Sequence, residues 1–155
     1  MTDVQPAPIV ERLLAQVRGW VGIEVVTHRF GGAEVRIGRC ELAHLHASGA
    51  LDVHFPVALR NCLIDSGWAS AHHVLPASGW VTYALPHESE QAHGCEDDPI
   101  ACELAIRGAL RLLRVAYMRH KTDWAAGADA IPMLMGLCDD AALATHDSER
   151  ESVSA

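Results

Sequence analysis

The chain has 155 residues, of which 50% are hydrophobic and 21% are charged. This length suits one domain of ordinary size, and this composition excludes a wholly disordered chain. The formal net charge of -8 argues against nucleic acid as a partner, because a polyanion repels an acidic protein. No apolar run is long enough to cross a bilayer and the N-terminus lacks the pattern of a secretory signal, so we expect a cytoplasmic protein with no membrane partner.

The N-terminal half of the sequence predicts one helix followed by strands. A helix is expected from Pro8 to Arg18, because its apolar residues form one stripe and Gly19 follows it. Beyond Trp20, β-branched residues and alternating patterns separated by glycine-containing turns predict strands. These strands are expected over Ile23–Phe30, Ala33–Ile37, Cys40–His46 and Leu51–Phe55.

The C-terminal half predicts two helices around a further pair of strands. A short helix should begin at Pro56 and end at Gly67. Strands His72–Leu75 and Trp80–Leu85 should then pair in the antiparallel sense. A long helix is expected from Pro99 to His120, with Asp98 as its N-terminal cap. We interpret the exposed stripe of Arg107, Arg111 and Arg114 on this helix as a solvated face, in which Glu103 pairs with Arg107.

Together these elements predict a single two-layer α+β domain over residues 1–121. Its mainly antiparallel sheet should have about six strands, with an N-terminal helix, a short middle helix and a long C-terminal helix. Residues 86–98 form a polar loop, and residues 122–155 form an acidic C-terminal extension that should be partly disordered. Residues 121–155 contain seven acidic and two basic residues. The pattern does not predict the strand order.

Histidines at alternating positions of the predicted strands are the main candidates for chemistry. His44 and His46 are two residues apart on one strand and should share a face, as should Asp52 and His54 on the next strand. If those faces coincide, three imidazoles and a carboxylate would meet in a donor set suited to zinc, iron, copper or nickel. His72 and His73, which should point to opposite faces, are candidate catalytic residues, and Trp80 and Tyr83 are candidate walls of a ligand site.

A simpler interpretation of the histidine pattern remains open at this point. A His-x-His pair on a strand with one wet face is often only a pair of exposed imidazoles. The five cysteines form an odd set without a Cys-x-x-Cys pair, so reduced thiols are expected rather than a disulfide framework. The sequence has no Walker loop and no dinucleotide fingerprint, so it predicts no nucleotide or flavin cofactor. A divalent transition metal is the only cofactor that the pattern suggests.

Several short motifs taken together resemble one known family. They are Arg29-Phe30-Gly31-Gly32-Ala33-Glu34, Gly38-Arg39, Glu41 to His46, Leu51 to Pro56, His72 to Pro76, Ser78 to Val81 and Val115 to His120. Over about residues 8–121 the chain is similar to small bacterial and fungal luciferase-domain proteins, a family largely without characterised activity. The resemblance implies one α+β domain with this order of elements, and the family name suggests oxygen-dependent oxidation of a small molecule. The matched positions that would form a site are His44, His46, Asp52, His72 and His73.

Two functional hypotheses follow, and the sequence does not decide whether the protein is an enzyme. The first is a small-molecule site on the sheet, with metal-assisted oxidation as its chemistry. The second is a non-enzymatic interaction module or homo-oligomer, in which the apolar segment Ile131–Leu137 of the acidic extension docks on a partner or on a second copy.

Overall fold

A computed structural model describes residues 8–86 and 98–121, so the predicted extension 122–155 and most of the predicted polar loop lie outside the described residues. In chain order, the described elements are a helix, four strands, a helix, two strands and a helix, which is the order that the sequence predicts. They are α1 (Pro8–Val17), β1 (Ile23–Thr27), β2 (Ala33–Ile37), β3 (Cys40–Leu45), β4 (Ala50–His54), α2 (Val57–Asp65), β5 (Ser70–Ala71), β6 (Trp80–Ala84) and α3 (Pro99–Lys121).

The six strands form one sheet with the order β1-β2-β3-β4-β6-β5. Every neighbouring pair is antiparallel. The structure therefore confirms the single α+β domain with an N-terminal helix, a short middle helix and a long C-terminal helix. It adds the strand order, which brings β3, β4 and β6 side by side at the centre of the sheet.

The hydrophobic core lies on one face of this sheet, beneath α1 and α3. Alternate residues of the central strands, such as Leu45, Leu51 and Val81, are 0–1% exposed there. They belong to the same apolar cluster as Leu13 of α1 and Ile106 of α3. Because side chains of a strand alternate between faces, the residues between these core positions must point away from the helices. The opposite face of the central strands therefore carries the polar side chains.

Helix α3 follows the sequence prediction closely. The backbone N–H of Ala101 donates to Asp98 Oδ1 at 2.9 Å, which confirms the predicted cap. The three arginines at positions 107, 111 and 114 are exposed, and Arg107 lies 3.5 Å from Glu103. In the part of the chain that the structure describes, no helix is both long and apolar enough to cross a membrane.

The predicted strand His72–Leu75 is wrong, because β5 ends at Ala71. The Nδ1 atom of His72 accepts hydrogen bonds from the backbone N–H groups of Val74 and Leu75, at 3.2 and 3.1 Å. These bonds curl the chain into a bend that an extended strand does not allow. The first strand is also shorter than predicted, since the N–H of His28 donates to the carbonyl of Gly32 at 3.0 Å and closes a turn.

The cysteines correct another expectation. Cys40 and Cys62 form no disulfide bond, as the odd number and spacing of cysteines predict. Cys102, on the buried side of α3, is disulfide-bonded. The prediction that all the cysteines are reduced thiols is therefore wrong. The spacing of cysteines along the sequence carries no information about which of them the fold brings together.

Candidate metal centre on the open face of the sheet

Three side chains occupy adjacent positions on the polar face of the central strands. His44 of β3 lies directly opposite Asp52 of β4, and Asp52 lies directly opposite Thr82 of β6. These residues lie between the core positions of their strands, so they share the face that α1 and α3 do not cover. The structure thus brings His44 and Asp52 together as the alternation predicts.

Asp52 is the centre of a hydrogen-bond network. Its side chain is 4% exposed, and Thr82 Oγ1 donates to Oδ1 at 2.6 Å. On the other carboxylate oxygen, Oδ2, the Nε2 atoms of His46 and His72 lie at 2.7 and 3.3 Å. Burial alone would raise the pKa of Asp52, but the hydrogen bonds from Thr82 and His46 and the charge of His72 together lower it below its ordinary value. Asp52 is therefore an anion at neutral pH.

His44 is held in one tautomer by its surroundings. It is only 9% exposed, and its Nε2 lies 2.8 Å from the carbonyl oxygen of Gly31. Since a carbonyl can only accept, Nε2 must carry the hydrogen, which leaves the lone pair of the neutral ring on Nδ1. Burial lowers the pKa of His44, although the bond to Gly31 opposes this, so the neutral ring persists to lower pH than in a free histidine. A neutral imidazole with an available lone pair is the form that binds metals.

His44, His46 and Asp52 form a group that could hold a metal ion. One nitrogen or oxygen atom from each residue lies within 4.8 Å of the other two. The rings of His44 and His46 are 4.1 Å apart between centroids. His46 is 35% exposed at its side chain, whereas the other two are buried, so the group opens to solvent on the His46 side.

A second group, which the sequence pattern does not predict, consists of His28, Glu41 and His44. Strict alternation along β3 would place Glu41 on the opposite face from His44. However, β2 and β3 shift register between Val35 and Arg36, so that Arg36 pairs with Glu41 and Val35 with Ala43. Leu42 is the extra residue of this bulge, and it reverses the alternation for Glu41. Because a bulge depends on the partner strand, no signal in the sequence of β3 alone would have revealed it.

The hydrogen bonds of His28 disfavour this second group as a metal site. His28 Nδ1 accepts the backbone N–H of Phe30 at 3.1 Å, so a neutral ring carries its hydrogen on Nε2. That nitrogen faces Glu41 at 3.7 Å, and the ring stacks on His44 at 3.8 Å between centroids. Burial and the nearby Glu34 raise the pKa of Glu41. In this tautomer His28 has no lone pair to offer a metal ion. His28 therefore packs against His44, and the second group is not favoured as a metal site.

The two candidate catalytic histidines are placed differently from the prediction. His72 joins the network through its Nε2 contact with Asp52, because its Nδ1 already accepts two backbone N–H groups. His73 stacks on His72 at 4.9 Å with ring planes inclined by 23°. The expectation that these two side chains point to opposite faces is therefore wrong, since the bend at His72 removes the strand alternation.

His54 does not join the metal group, although it shares the face with Asp52. The pairing of His44 with Asp52 places Ala50 next to His46, so His54 lies at the other end of the site. Four residues along a strand separate positions 50 and 54 by roughly 13 Å. The ring of His54 instead meets the edge of Trp80 at 5.2 Å. The prediction that His54 is a fourth metal ligand is therefore wrong for this arrangement.

Of the two candidate walls, only Trp80 lies near the histidines. Its ring is 6.4 Å from that of His72 between centroids. Tyr83 points to the helix-covered face, where its hydroxyl donates to the carbonyl of Ala105 at 3.0 Å. Trp80 and Tyr83 are three residues apart on β6, and residues at an odd spacing on a strand point to opposite faces. The prediction that Tyr83 lines the site is therefore wrong.

We expect the metal-free protein to lose stability as the pH falls below about 6.5, the ordinary histidine value. The lowered pKa of His44 means that the unfolded chain binds a proton there before the folded chain does, so protonation favours unfolding. The lowered pKa of His54 acts in the same direction, and that of Asp52 extends the loss into stronger acid. Urea unfolding between pH 5 and pH 8 in the presence of a chelator measures this slope. His44→Gln should make it shallower, and an unchanged slope in that variant would contradict the assignment.

Comparison with known proteins gives one family match. Residues 39–96 match the family model described as the luciferase domain. No curated protein and no solved structure is significantly similar to the chain. The matched range includes His44, His46, Asp52, His72 and Thr82, which form the network around the buried carboxylate, whereas His28 lies outside it. Over residues 39–96, the match confirms the resemblance of this chain to the luciferase-domain family.

Proposed function

We propose that the protein holds a divalent transition metal on His44, His46 and Asp52 and uses it in the oxidation of a small organic molecule. The observation that carries this proposal is the convergence of the three ligand atoms within 4.8 Å. Two of the three side chains, His44 and Asp52, are buried, so their positions are fixed by the packing of β3 against β4.

The distances within the group support a shared ion. Metal bonds from histidine nitrogen and carboxylate oxygen are about 2.0–2.2 Å long, so neighbouring ligand atoms on one ion lie roughly 3 Å apart. The 2.7 Å between His46 Nε2 and Asp52 Oδ2 is close to that separation. The hydrogen bond from His44 to the carbonyl of Gly31 is the kind of outer contact that orients metal-binding histidines.

The ligand set favours iron(II) among the metals that it could bind. Two histidines and one carboxylate are the protein ligands of non-haem iron(II) oxygenases, which leave other positions for dioxygen and substrate. Such an ion would supply oxygen-dependent oxidation, the chemistry that the family name suggests. The exposed side of His46 leaves an approach for the small molecule, and His72 and Thr82 hold the carboxylate of Asp52 in place.

Metal content of the full chain tests this proposal. We expect the protein, loaded anaerobically with iron(II) and then desalted, to retain about one equivalent of metal. The double variant His44→Ala/His46→Ala should retain less than roughly a tenth of an equivalent, because it lacks two of three ligands. Elemental analysis gives both values.

A matched double variant controls for the loss of two imidazoles. His73→Ala/His120→Ala removes two histidines outside the metal group and should retain metal like the natural chain. If the natural chain retains less than about a tenth of an equivalent of iron, zinc or cobalt, the proposed metal centre is wrong. Equal retention by the ligand variant and its control would contradict the assignment of these residues.

A further inference from the structure

The side of α3 that faces solvent carries a stripe of five exposed residues, Ile100, Leu104, Arg107, Arg111 and Arg114. Their alternating spacings of four and three residues place them on one face of the helix. Ile100 and Leu104 are 73% and 61% exposed, although large apolar side chains are usually buried. The opposite side of α3 belongs to the hydrophobic core, so this outer stripe is a separate, exposed surface.

Charge divides the outer stripe into two parts. The two residues nearest the N-terminus of α3 are apolar, and the other three are arginines. Glu103 lies 3.5 Å from Arg107 and 3.2 Å from Arg12, so this one carboxylate is shared between two guanidinium groups. The arginine part of the stripe therefore keeps a net positive charge. A segment that covers the whole stripe has to be acidic at one end and apolar at the other.

A second copy of the same stripe does not meet this requirement. If two copies covered each other over the full length of the stripe, the arginines would face either one another or the apolar side chains of the other copy. Both contacts are unfavourable, because like charges repel and a buried charge without a partner is costly. If only the apolar ends met, each copy would contribute two side chains, whereas a stable interface involves roughly 20–30 residues from each partner.

The C-terminal extension that follows α3 has the required composition in the required order. The extension lies outside the described residues, but its sequence places Asp123 and Asp129 first and the apolar segment Ile131–Leu137 next. A chain that turns back after Lys121 passes the arginines of the outer stripe before it reaches the apolar end. Along this path, acidic residues meet arginines, and apolar residues meet apolar residues.

The chain between these groups is long enough for this path. Leu104 precedes Lys121 by 17 residues along α3, which corresponds to roughly 26 Å at about 1.5 Å per residue. Ile131 follows Lys121 by ten residues, and an extended chain of that length spans up to about 33–36 Å. Ile131 can therefore reach Leu104 and still leave several residues for the turn.

We propose that the extension folds back along α3, with its aspartates beside the arginines of the outer stripe and Ile131–Leu137 against Leu104 and Ile100. The partner of this surface is thus a segment of the same chain. By covering two exposed apolar side chains, the extension limits association of the domain through them. The inference is independent of the proposed metal centre, because α3 covers the face of the sheet opposite to that of His44 and Asp52.

Limited proteolysis of the full chain tests this inference. Thermolysin cleaves before large apolar residues, and mass spectrometry identifies the cuts that fall within residues 131–137. When a docked segment opens and closes rapidly, its rate of cleavage is proportional to the fraction of molecules in which it is open. Leu104→Asp should therefore raise the rate of these cuts at least about tenfold, because it removes an apolar contact and adds a negative charge beside an acidic segment.

Reversal of charge tests the arginine part of the stripe. Arg111→Glu/Arg114→Glu should raise the same rate at least about threefold, because repulsion of the aspartates replaces attraction. In this background, Asp123→Arg/Asp129→Arg recreates opposite charges across the contact. It should return the rate to within about twofold of that of the natural chain.

Two matched controls separate docking from general effects of the substitutions. Val74→Asp introduces the same charge at an apolar position that is 66% exposed and lies outside α3. Arg29→Glu/Arg39→Glu makes the same change in net charge as the double variant of α3, at exposed positions in turns of the sheet. Both controls should leave the rate of cleavage within residues 131–137 unchanged.

The outcomes distinguish this contact from the alternatives. The inference is overturned if either Leu104→Asp or the charge reversal leaves the rate unchanged, if the controls raise it equally, or if the reversed aspartates do not restore it. It is also overturned if light scattering shows a dimer and the cuts become faster on dilution, because the extension would then dock on a second copy. A rate that is independent of protein concentration, raised by both variants and restored by the reversed aspartates, supports docking within one chain.

Discussion

Asp52→Asn is expected to prevent metal retention and to lower the free energy of unfolding by about 3 kcal/mol. The carboxylate accepts hydrogen bonds from Thr82 and His46, it lies 3.3 Å from His72 Nε2 in an ion pair, and it is almost fully buried. Asparagine keeps the shape, but it removes the negative charge and places an amide N–H opposite at least one of these donors. Hydrogen bonds to a charged group contribute about 1.5–3 kcal/mol, and an orphaned buried donor adds about 1–3 kcal/mol.

Urea unfolding at pH 7.5, with and without chelator, measures this change. Asp65→Asn is a matched control, because it makes the same chemical change at an exposed position of α2 and should shift stability by less than about 0.5 kcal/mol. Thr82→Val should have an intermediate effect, since Asp52 keeps its contacts with His46 and His72. A variant that unfolds at the same urea concentration as the natural chain and still retains metal would show that Asp52 is not the centre of the site.

The part of this site that follows from the sequence is the part set by local alternation. His44 lies on β3 and His46 directly follows that strand, and the turn at Ser48-Gly49 brings Asp52 back beside them. A two-residue period is therefore enough to predict that these residues meet. The same rule, applied to Trp80 and Tyr83, would have excluded Tyr83. The wrong prediction for Tyr83 thus arose because the two-residue period was not applied to β6, and not because information was missing.

The remaining parts depend on contacts between distant segments. Glu41 reaches the histidines only because of the bulge against β2, and His28 does so because its turn folds over β3. The bend at His72 depends on a side chain that binds its own backbone, which competes with strand formation. The bounds of β1 to β4 and of β6 can be predicted within a few residues. The bulge at Leu42, the turn at His28 and the bend at His72 instead depend on the strand register and on the histidine tautomers.

The turn between β1 and β2 should be very sensitive to a single methyl group. Gly32 has φ of 75°, and a Cβ atom there would meet the carbonyl oxygen of Leu45 and lie 3.2 Å from His46 Cα and 3.3 Å from His44 Nε2. We therefore expect Gly32→Ala to lower the free energy of unfolding by about 3 kcal/mol or more, because backbone strain adds to overpacking. Metal affinity should fall with it, since the turn would have to move away from both histidines.

Gly31 provides the control for backbone strain alone. Its φ is 90°, but a Cβ atom at Gly31 would have nothing within 4 Å. Gly31→Ala should therefore cost only the left-handed conformation of a residue with a side chain, about 1–2 kcal/mol, and should leave metal affinity nearly unchanged. Urea unfolding and iron(II) titration of both variants measure the difference. Equal losses in the two variants would mean that conformation alone limits this turn, and that its close packing against β3 does not position His44 and His46.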